Sequence, residues 1–579
     1  MGKFMHTQNS FAHGEVSSEF FARSDMATAD KGLSRLTNMD VLPSGAITRR
    51  VGTVRLFEAD ANAILVPFAV DDNDDYLLVL YPGHLLVYQN AVRIQDILAP
   101  WAAADLANVQ YAQRFGTMIF VHPNWMPVVL TKTGTNSFAL NNFAFARNDD
   151  MSVNIPFLKF DDATNIKLTI TTNAGGNSYA TVTASAAFWK AAHVGGTLLF
   201  LGKQWTVTQY VSPTVIYAMT NGTYALPSQP ISDWREAAFS PTRGWPRSIT
   251  FHQDRLVFGG SRDWPCGVWM SKVGAHMNFS VGTGLDDEAI FLTLLSSQRQ
   301  QICTVASADN LQILTTIGEW AITAKPLTPS TIDIKQHTSV GSIADRYLPP
   351  QKIEGSTVFV SRTKTEIREL ILDTLGENYS AVDLCSLSSH LMRMPIGIAY
   401  HDASHRLFVV MADGSCAVLT KIESLGIVAW AVYKTQGDFK SVAVMNDNIF
   451  VIVARDTGTF VEKFDSMAVN DSGGFGFAHA AAGMPIFAAG NNPKKLRLTK
   501  LSARVLNTKS LYFKVGDQTL AADIPNHVQT PESDGYSGDV SVSLLGTTAK
   551  TMHPLWEITG SDPLPCTILS ITAEGRYSI

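Results

Sequence analysis

One motif constrains this chain more than any other: a strand, a polar tight turn and a second strand, recurring at residues 249–258, 305–314, 353–360, 398–409 and 442–451, with an earlier copy at 109–121. Counting from Leu256 to Leu311, Val358, Leu407 and Ile449, the steps are 55, 47, 49 and 42 residues. That is close to the roughly 40 to 50 residues of a four-stranded propeller blade. A third apolar run follows each hairpin, at 268–271, 320–323, 367–370, 417–420 and 460–464. An isolated blade cannot bury its own faces, so such a repeat makes sense only when the copies stack on one another. The spacing predicts a mostly β chain built on a β-propeller of about six or seven blades. Two unrelated antiparallel sandwiches would not require so regular a step.

The remaining segments are organised around that repeat. At 579 residues the chain exceeds what one ordinary core supports. Strand-like runs at 63–68, 76–81 and 85–88 form a meander that extends the propeller toward the N-terminus. Between the first two, Asp71-Asp72-Asn73-Asp74-Asp75 lacks the glycine and terminal glutamate of a helix-loop-helix calcium site, and it reads as a solvated turn. Residues 165–230 interrupt the repeat with Thr- and Val-rich alternating strands, the pattern of a small inserted β domain. After Gly473-Gly474 come an Ala/Gly-rich linker and strands at 498–505 and 511–515, then a further run near 563–571. The expected division is a docking arm and platform part at 1–60, first blades at 61–164, the insertion at 165–230, remaining blades at 231–470 and a C-terminal β platform at 471–579. In the first fifty residues, Phe11, Phe20 and Phe21 alternate with polar and turn-forming residues, so this arm holds its shape only by packing on something else. Its deletion is expected to leave a soluble propeller that no longer assembles.

Chemistry-bearing constellations are thin. A formal charge of -6 gives no basic patch for neutralising phosphates. The five cysteines, Cys266, Cys303, Cys385, Cys416 and Cys566, lie far apart without a Cys-x-x-Cys spacing, which suggests neither a disulfide framework nor zinc. No run of about 18 apolar residues predicts membrane insertion. Gly-x-Ser-x-Gly, Walker and His-Glu-x-x-His motifs are missing from the sequence. Asp286-Asp287-Glu288 offers carboxylates for glycoside hydrolysis, but a turn explains it more economically. His252, His401 and His405 fall at repeated turn positions, and Trp234, Trp245 and Trp320, which could stack sugars, have the usual alternative of core packing. The expectation is a non-enzymatic protein without catalytic, metal or cofactor-binding residues.

Several short motifs, taken in order, carry a family resemblance. Leu42-Pro43-Ser44-Gly45 precedes Arg49-Arg50-Val51-Gly52-Thr53, Arg243-Gly244-Trp245-Pro246-Arg247-Ser248 leads to Arg255-Leu256-Val257-Phe258-Gly259-Gly260-Ser261, and Gly318-Glu319-Trp320 precedes Thr328-Pro329. Asp105-Leu106, Ala112-Gln113, His122-Pro123, Gly341-Ser342 and Pro563-Leu564-Pro565 fit the same order. Together they resemble the tail nozzle family of short-tailed bacteriophages, also called tail tubular protein B, across nearly the whole chain. Val51 and Ala46 depart from that family's pattern. The resemblance implies a structural protein of the virion tail, made in the bacterial host cytoplasm. It implies a ring, expected to be a hexamer, below the adaptor, contacting tail fibres or spikes and passing genomic DNA without sequence-specific binding. A carbohydrate-binding or depolymerising propeller at the tail tip is the alternative. The interface residues expected from the N-terminal segment are Phe11, Gly14, Glu15, Arg23, Asp25, Asn38, Gly45, Arg49, Arg50 and Gly52.

Overall fold

The computed structural model describes residues 2–21, 23, 30–71, 74–173, 176–373, 378–485, 495–515, 518–528, 533–549 and 553–578. Six four-stranded antiparallel sheets and one end of a larger sheet form seven blades. Their innermost strands are Ile64–Asp71, Gln110–Arg114, Pro246–His252, Ile302–Ser307, Gln351–Ile353, Pro395–His401 and Asp438–Met445. The hairpin turns obey local chemistry. Gln253 and Asp254, at φ 44° and 57°, join the first two strands of blade 3 as a two-residue turn of the primed kind that matches strand twist. The longest repeat step follows from blade 3, whose third and fourth strands, Gly267–Met270 and Ile290–Thr293, are joined by the long 271–289 connection.

Adjacent blades bury their facing surfaces in separate cores. Blades 1 and 2 enclose Phe68, Tyr76, Trp101 and Phe120, and blades 6 and 7 enclose Phe408, Val418, Phe439 and Val453. Trp245 and Trp320 also sit in inter-blade cores, and Trp234 packs inside the inserted domain.

The ring closes with a strand from the start of the chain. Gly52–Glu58 pairs antiparallel with Gly458–Asp465 and supplies the fourth strand of blade 7. This part of the segment assigned to a docking arm therefore belongs to the propeller. Its partner lies about four hundred residues away, beyond the reach of local pattern.

The insertion is a seven-stranded sheet running from Phe157–Leu158 to Trp234–Ala237, so it takes up residues on both sides of 165–230. Its core holds Trp189, Trp205, Phe200 and Trp234.

The platform is a pair of sheets built from both chain ends. In the first, the strands Gly2–Gln8, Thr567–Ser578, Lys495–Thr508 and Tyr536–Ala549 lie side by side, each antiparallel to the next. Ile47–Arg49 and Met39–Val41 extend it. The second continues blade 6 outward: Ile427–Tyr433 is followed by Gly14–Glu15, Gly32–Thr37, His479–Gly483, Glu557–Gly560, Tyr512–Val515 and Gln518–Ala521. Phe11, Leu33, Leu36, Ile47, Leu501, Trp556, Ile558 and Ile568 share one core between these sheets. The N-terminal arm thus finds its packing partner within its own chain.

The propeller axis is closed by the connection between blades 4 and 5. The Tyr347 amide donates to the Ala107 carbonyl (2.7 Å) beside blade 2. Arg247 of blade 3 reaches the Ala344 carbonyl at 3.5 Å, and Arg346 reaches the Ile396 carbonyl of blade 6, also at 3.5 Å. Residues of this crossing line a cavity of about 180 Å³.

Candidate functional site: the junction of propeller and platform

Most of the residues put forward from the N-terminal sequence converge where blades 6 and 7 meet the platform. Arg50, fully enclosed, is the centre of the junction. Its Nη1 and Nη2 donate to the two carboxylate oxygens of Asp471 at 2.8 and 2.7 Å. Nε donates to Asn38 Oδ1 at 2.9 Å, Nη1 to the Val51 carbonyl at 2.8 Å and Nη2 to the Lys434 carbonyl at 3.1 Å. All five guanidinium donors are thereby used. The Phe477 ring lies under the guanidinium at 3.6 Å, and Arg49 covers the same ring at 4.0 Å.

Asn38 is the platform's counterpart. It adopts φ 53°, a left-handed conformation that asparagine tolerates better than most residues. Its Oδ1 accepts from the Lys434 amide (2.8 Å) as well as from Arg50, and its Nδ2 donates to the Ala478 carbonyl (2.7 Å). Arg49 donates to the Val469 carbonyl at 2.8 Å. Burial first, and the Arg50 charge second, bring its guanidinium down to about 10. Beside this pair, Thr53 donates to Glu462 at 2.5 Å, and Glu462 is held by Arg455 through two bonds of 2.7 Å. The Asp40 carboxylate accepts from the Tyr433 hydroxyl and pairs with Arg406 at 3.0 Å.

The other residues of the set fasten neighbouring strands. Glu15 Oε2 accepts from the Leu36 amide (2.7 Å), and Oε1 meets His390 Nε2 (3.0 Å) near blade 6. Phe11 packs edge-on to Trp556, ring centres 6.1 Å apart, and its amide donates to the Gly45 carbonyl. Gly14 combines φ 58° with so close an approach to blade 6 that a Cβ would lie 2.4 Å from the Trp430 carbonyl oxygen. At Gly52 a Cβ would fall 2.1 Å from the Asn470 carbonyl oxygen. Arg23 is exposed, and Asp25 lies outside the described residues. Phe11, Glu15, Asn38, Arg49 and Arg50 are buried by their own chain, so the contact they make is between parts of one molecule. Sequence inspection missed their partners Asp471, Phe477, Lys434 and Trp556. The Asp471–Phe477 stretch is Gly-rich and carries no motif; its proximity arises from tertiary closure.

A second buried ion cluster fixes the insertion. Arg243 holds Glu236 (3.0 and 2.5 Å) and Asp162 (3.0 and 2.9 Å) with paired bonds, and lies over the Phe160 ring at 4.2 Å. This anchors the inserted sheet to the lead-in of blade 3.

The alternative catalytic residues have local tasks. Glu288 accepts the Gly284 and Leu285 amides at 2.6 and 2.9 Å, while Asp287 pairs with Lys272 at 2.8 Å. His252 Nδ1 meets the Ser307 hydroxyl at 2.9 Å and His401 Nδ1 the Ser404 hydroxyl at 2.7 Å. Among the described residues, no three His, Cys, Asp or Glu gather to hold a metal ion, and no helix is long and apolar enough to cross a membrane.

No family model and no curated protein match the chain. Among solved structures it is similar to BamB from Moraxella catarrhalis, at 11% identity and TM-score 0.34, covering 72% of this chain and 98% of that one. It is similar also to the β-propeller domain of Cps50 (Swd1) from Myceliophteria thermophila, at 7% identity and TM-score 0.36, over 72% and 100% of the two chains. The C-terminal WD40 domain of Sif2 aligns at 11% identity and TM-score 0.33, over 72% and 98%. The chain is a seven-bladed β-propeller with an inserted β domain and a two-sheet platform from its ends, as the strand pairings define it.

Proposed function

We propose that this chain is a structural protein of a short-tailed phage virion, forming the tail nozzle ring that continues the DNA ejection channel below the adaptor, helps retain DNA and contacts tail fibres or spikes. The ordered motifs of residues 42–53, 243–261 and 318–329 support the family, and the platform's open sheet edges carry the ring. In the first platform sheet, Tyr536–Ala549 has a hydrogen-bonded neighbour on one side only among the described strands, and Gly2–Gln8 borders the opposite side. Four strands of alternating direction leave these edges antiparallel to one another, so the edge of one copy can pair with the opposite edge of the next. Such head-to-tail contacts close into rings when the rotation permits. A single propeller cannot be the conduit. Its axis is crossed by residues 341–350, and a cavity of about 180 Å³ admits no duplex, whose major groove alone is about 12 Å wide. The passage lies between copies, which a mildly acidic chain would not clog by binding phosphates.

Negative-stain imaging of the purified chain and of particles lacking it tests this proposal. Rings with an open centre, and DNA loss from deficient particles, are the expected results. Deficient tails of full length that retain DNA refute it. Cysteines at Met5 and Ser541 should cross-link neighbouring copies into ladders; rings without such ladders would place the subunit contact elsewhere.

A further inference from the structure

The inserted sheet is tied to the propeller at a second place, and one of the residues that makes this tie is chemically unstable. Between blade 2 and the insertion, residues 148–153 form a tight loop. The Asn148 amide donates to the Ser152 carbonyl at 2.9 Å, and Asp150 Oδ1 accepts from the Ser152 amide at 2.9 Å and from its hydroxyl at 2.5 Å. The flanks of this loop are fixed to the 271–289 connection of blade 3, the Ala146 amide on the Met277 carbonyl (2.8 Å) and the Phe279 amide on the Asn154 carbonyl (2.9 Å). The insertion grips the loop with two amide side chains. Gln204 accepts from the Val153 amide (2.8 Å) and donates to the Val153 carbonyl (2.9 Å), and Asn221 Nδ2 donates to the Asp150 carbonyl (2.8 Å).

Asn221 is followed by Gly222, and nowhere else in the chain does asparagine precede glycine. Both residues are exposed. An asparagine side chain is open to attack by the backbone nitrogen of the next residue. Crowding by that residue's side chain, or a hydrogen bond that holds its N–H, ordinarily prevents the attack. Neither protects this site. Glycine has no Cβ, and a Cβ added at residue 222 would meet only Lys203 Nζ, at 3.6 Å. Among the described residues, the Gly222 N–H donates to no protein group. The Lys203 ammonium favours the negative charge that builds up as the ring closes.

We propose that Asn221-Gly222 is a site of spontaneous deamidation that releases this tie between the insertion and the propeller. The Gly222 nitrogen gives its proton to hydroxide and bonds to Asn221 Cγ. The Cγ–Nδ2 bond breaks, ammonia leaves with a proton taken from water, and a five-membered succinimide remains. Water then adds to one or the other ring carbonyl, leaving aspartate or isoaspartate. The bond to Asp150 restrains the Asn221 side chain, so the folded chain converts more slowly than the unfolded one. Either product carries a carboxylate, which accepts hydrogen bonds and donates none. It faces the Asp150 carbonyl in place of the lost donor, beside a second carboxylate, that of Asp150, which the Ser152 bonds hold below its ordinary range. Repulsion replaces the bond, and Gln204 and the Arg243 cluster are left to hold the insertion. The change runs one way and loosens the insertion without cutting the chain.

The test follows the full chain by peptide mass mapping during incubation at mildly alkaline pH, folded and in urea. Conversion of amide to acid is expected at residue 221 in both states, more slowly when folded and faster as pH rises, with part of the product as isoaspartate. In Asn221→Asp, amide exchange of residues 148–153 and 204–207 should be severalfold faster while residues 234–243 stay as protected as in wild type. Asn221→Gln, which would have to close a less favoured six-membered ring, should keep its mass. The proposal is overturned if the folded chain keeps Asn221 intact through an incubation that converts it in urea, if neither state converts, or if Asn221→Asp exchanges like wild type.

Discussion

Replacing Arg50 with lysine distinguishes a structural key from a phosphate clamp. The guanidinium makes five hydrogen bonds, two to Asp471 and one each to Asn38, Val51 and Lys434. An ammonium has three donors and no planar fork, so at least two buried acceptors lose their partner. Each unsatisfied buried group costs about 1–3 kcal/mol, which puts Arg50→Lys at about 2–6 kcal/mol. Arg50→Met strands the Asp471 carboxylate in the interior, a loss of about 3–5 kcal/mol. Both are large beside a typical total stability of about 5–15 kcal/mol. A chain with several cores need not unfold in one step. The assay therefore pairs urea midpoints by tryptophan fluorescence with amide exchange of segments 36–51, 430–436 and 465–478. Exchange there should accelerate in both variants, while the inserted sheet stays protected. Arg393→Lys is the control: this side chain is 65% exposed beside Asp413, and its change should stay within about 0.5 kcal/mol. A phosphate clamp predicts instead that Arg50→Lys leaves midpoint and exchange unchanged, because lysine preserves the charge. An Arg50→Lys protein with wild-type midpoint and exchange would refute the key.

Four further outcomes are expected. Burial holds His122, His252 and His479 down to about 4, so below the ordinary value of 6.5 the unfolded chain takes up protons that the folded chain refuses. Stability should fall as pH drops from about 6.5 toward 4, by at most about 3 kcal/mol per histidine; His479→Gln should flatten urea midpoints measured from pH 7.5 to 5, and an unchanged slope refutes its part. Gly14→Ala adds left-handed strain of about 1–2 kcal/mol to a Cβ 2.4 Å from the Trp430 carbonyl oxygen, and should lower Tm and soluble yield far more than Gly83→Ala, where that space is open. Arg243→Met should speed exchange across residues 157–237 and leave blades 5 to 7 unaffected. Deleting residues 1–50 should give an aggregating chain rather than a soluble propeller, as read by the soluble fraction after expression, because it removes Phe11, Leu33, Leu36 and Ile47 from the core shared with the C-terminal strands.

The propeller was legible because blade strands are short, apolar and separated by polar turns, so their pairing is local and their period survives in sequence. Leu256, Leu311, Val358, Leu407 and Ile449 all fall on the second strand of a blade, or at its start. The closing strand was not legible, because Thr53-Val54-Arg55-Leu56-Phe57 alternates weakly and meets its partner only after the ring has formed. The continuation of blade 6 into the platform was hidden for the same reason: Gly14–Glu15 is two residues long and pairs in parallel with strands on both sides. Arg49 and Arg50 were conspicuous in sequence, but adjacent arginines have the same spacing whether they face phosphate or an aspartate more than four hundred residues away. Their partners decide, and only the fold supplies them.

The first 58 residues supply strands to both platform sheets and to blade 7. Lengthening a loop adds only slowly to its closure entropy, so pairing Gly52–Glu58 with Gly458–Asp465 is thermodynamically affordable despite the separation. The kinetic consequence is different. Blade 7 cannot close until residue 465 has been made, and the platform core cannot close until the Thr567–Ser578 strand exists. Until then Phe11, Leu33 and Leu36 have no complete core to enter. A chain stopped after blade 7, at residue 465, would have a closed propeller with an exposed apolar flank, and Arg50 would lack Asp471, the carboxylate that now pairs with it. The platform and propeller therefore stabilise each other, and a load applied to the platform is carried into blades 6 and 7 through hydrogen bonds of the continuous sheet and the five bonds of one guanidinium.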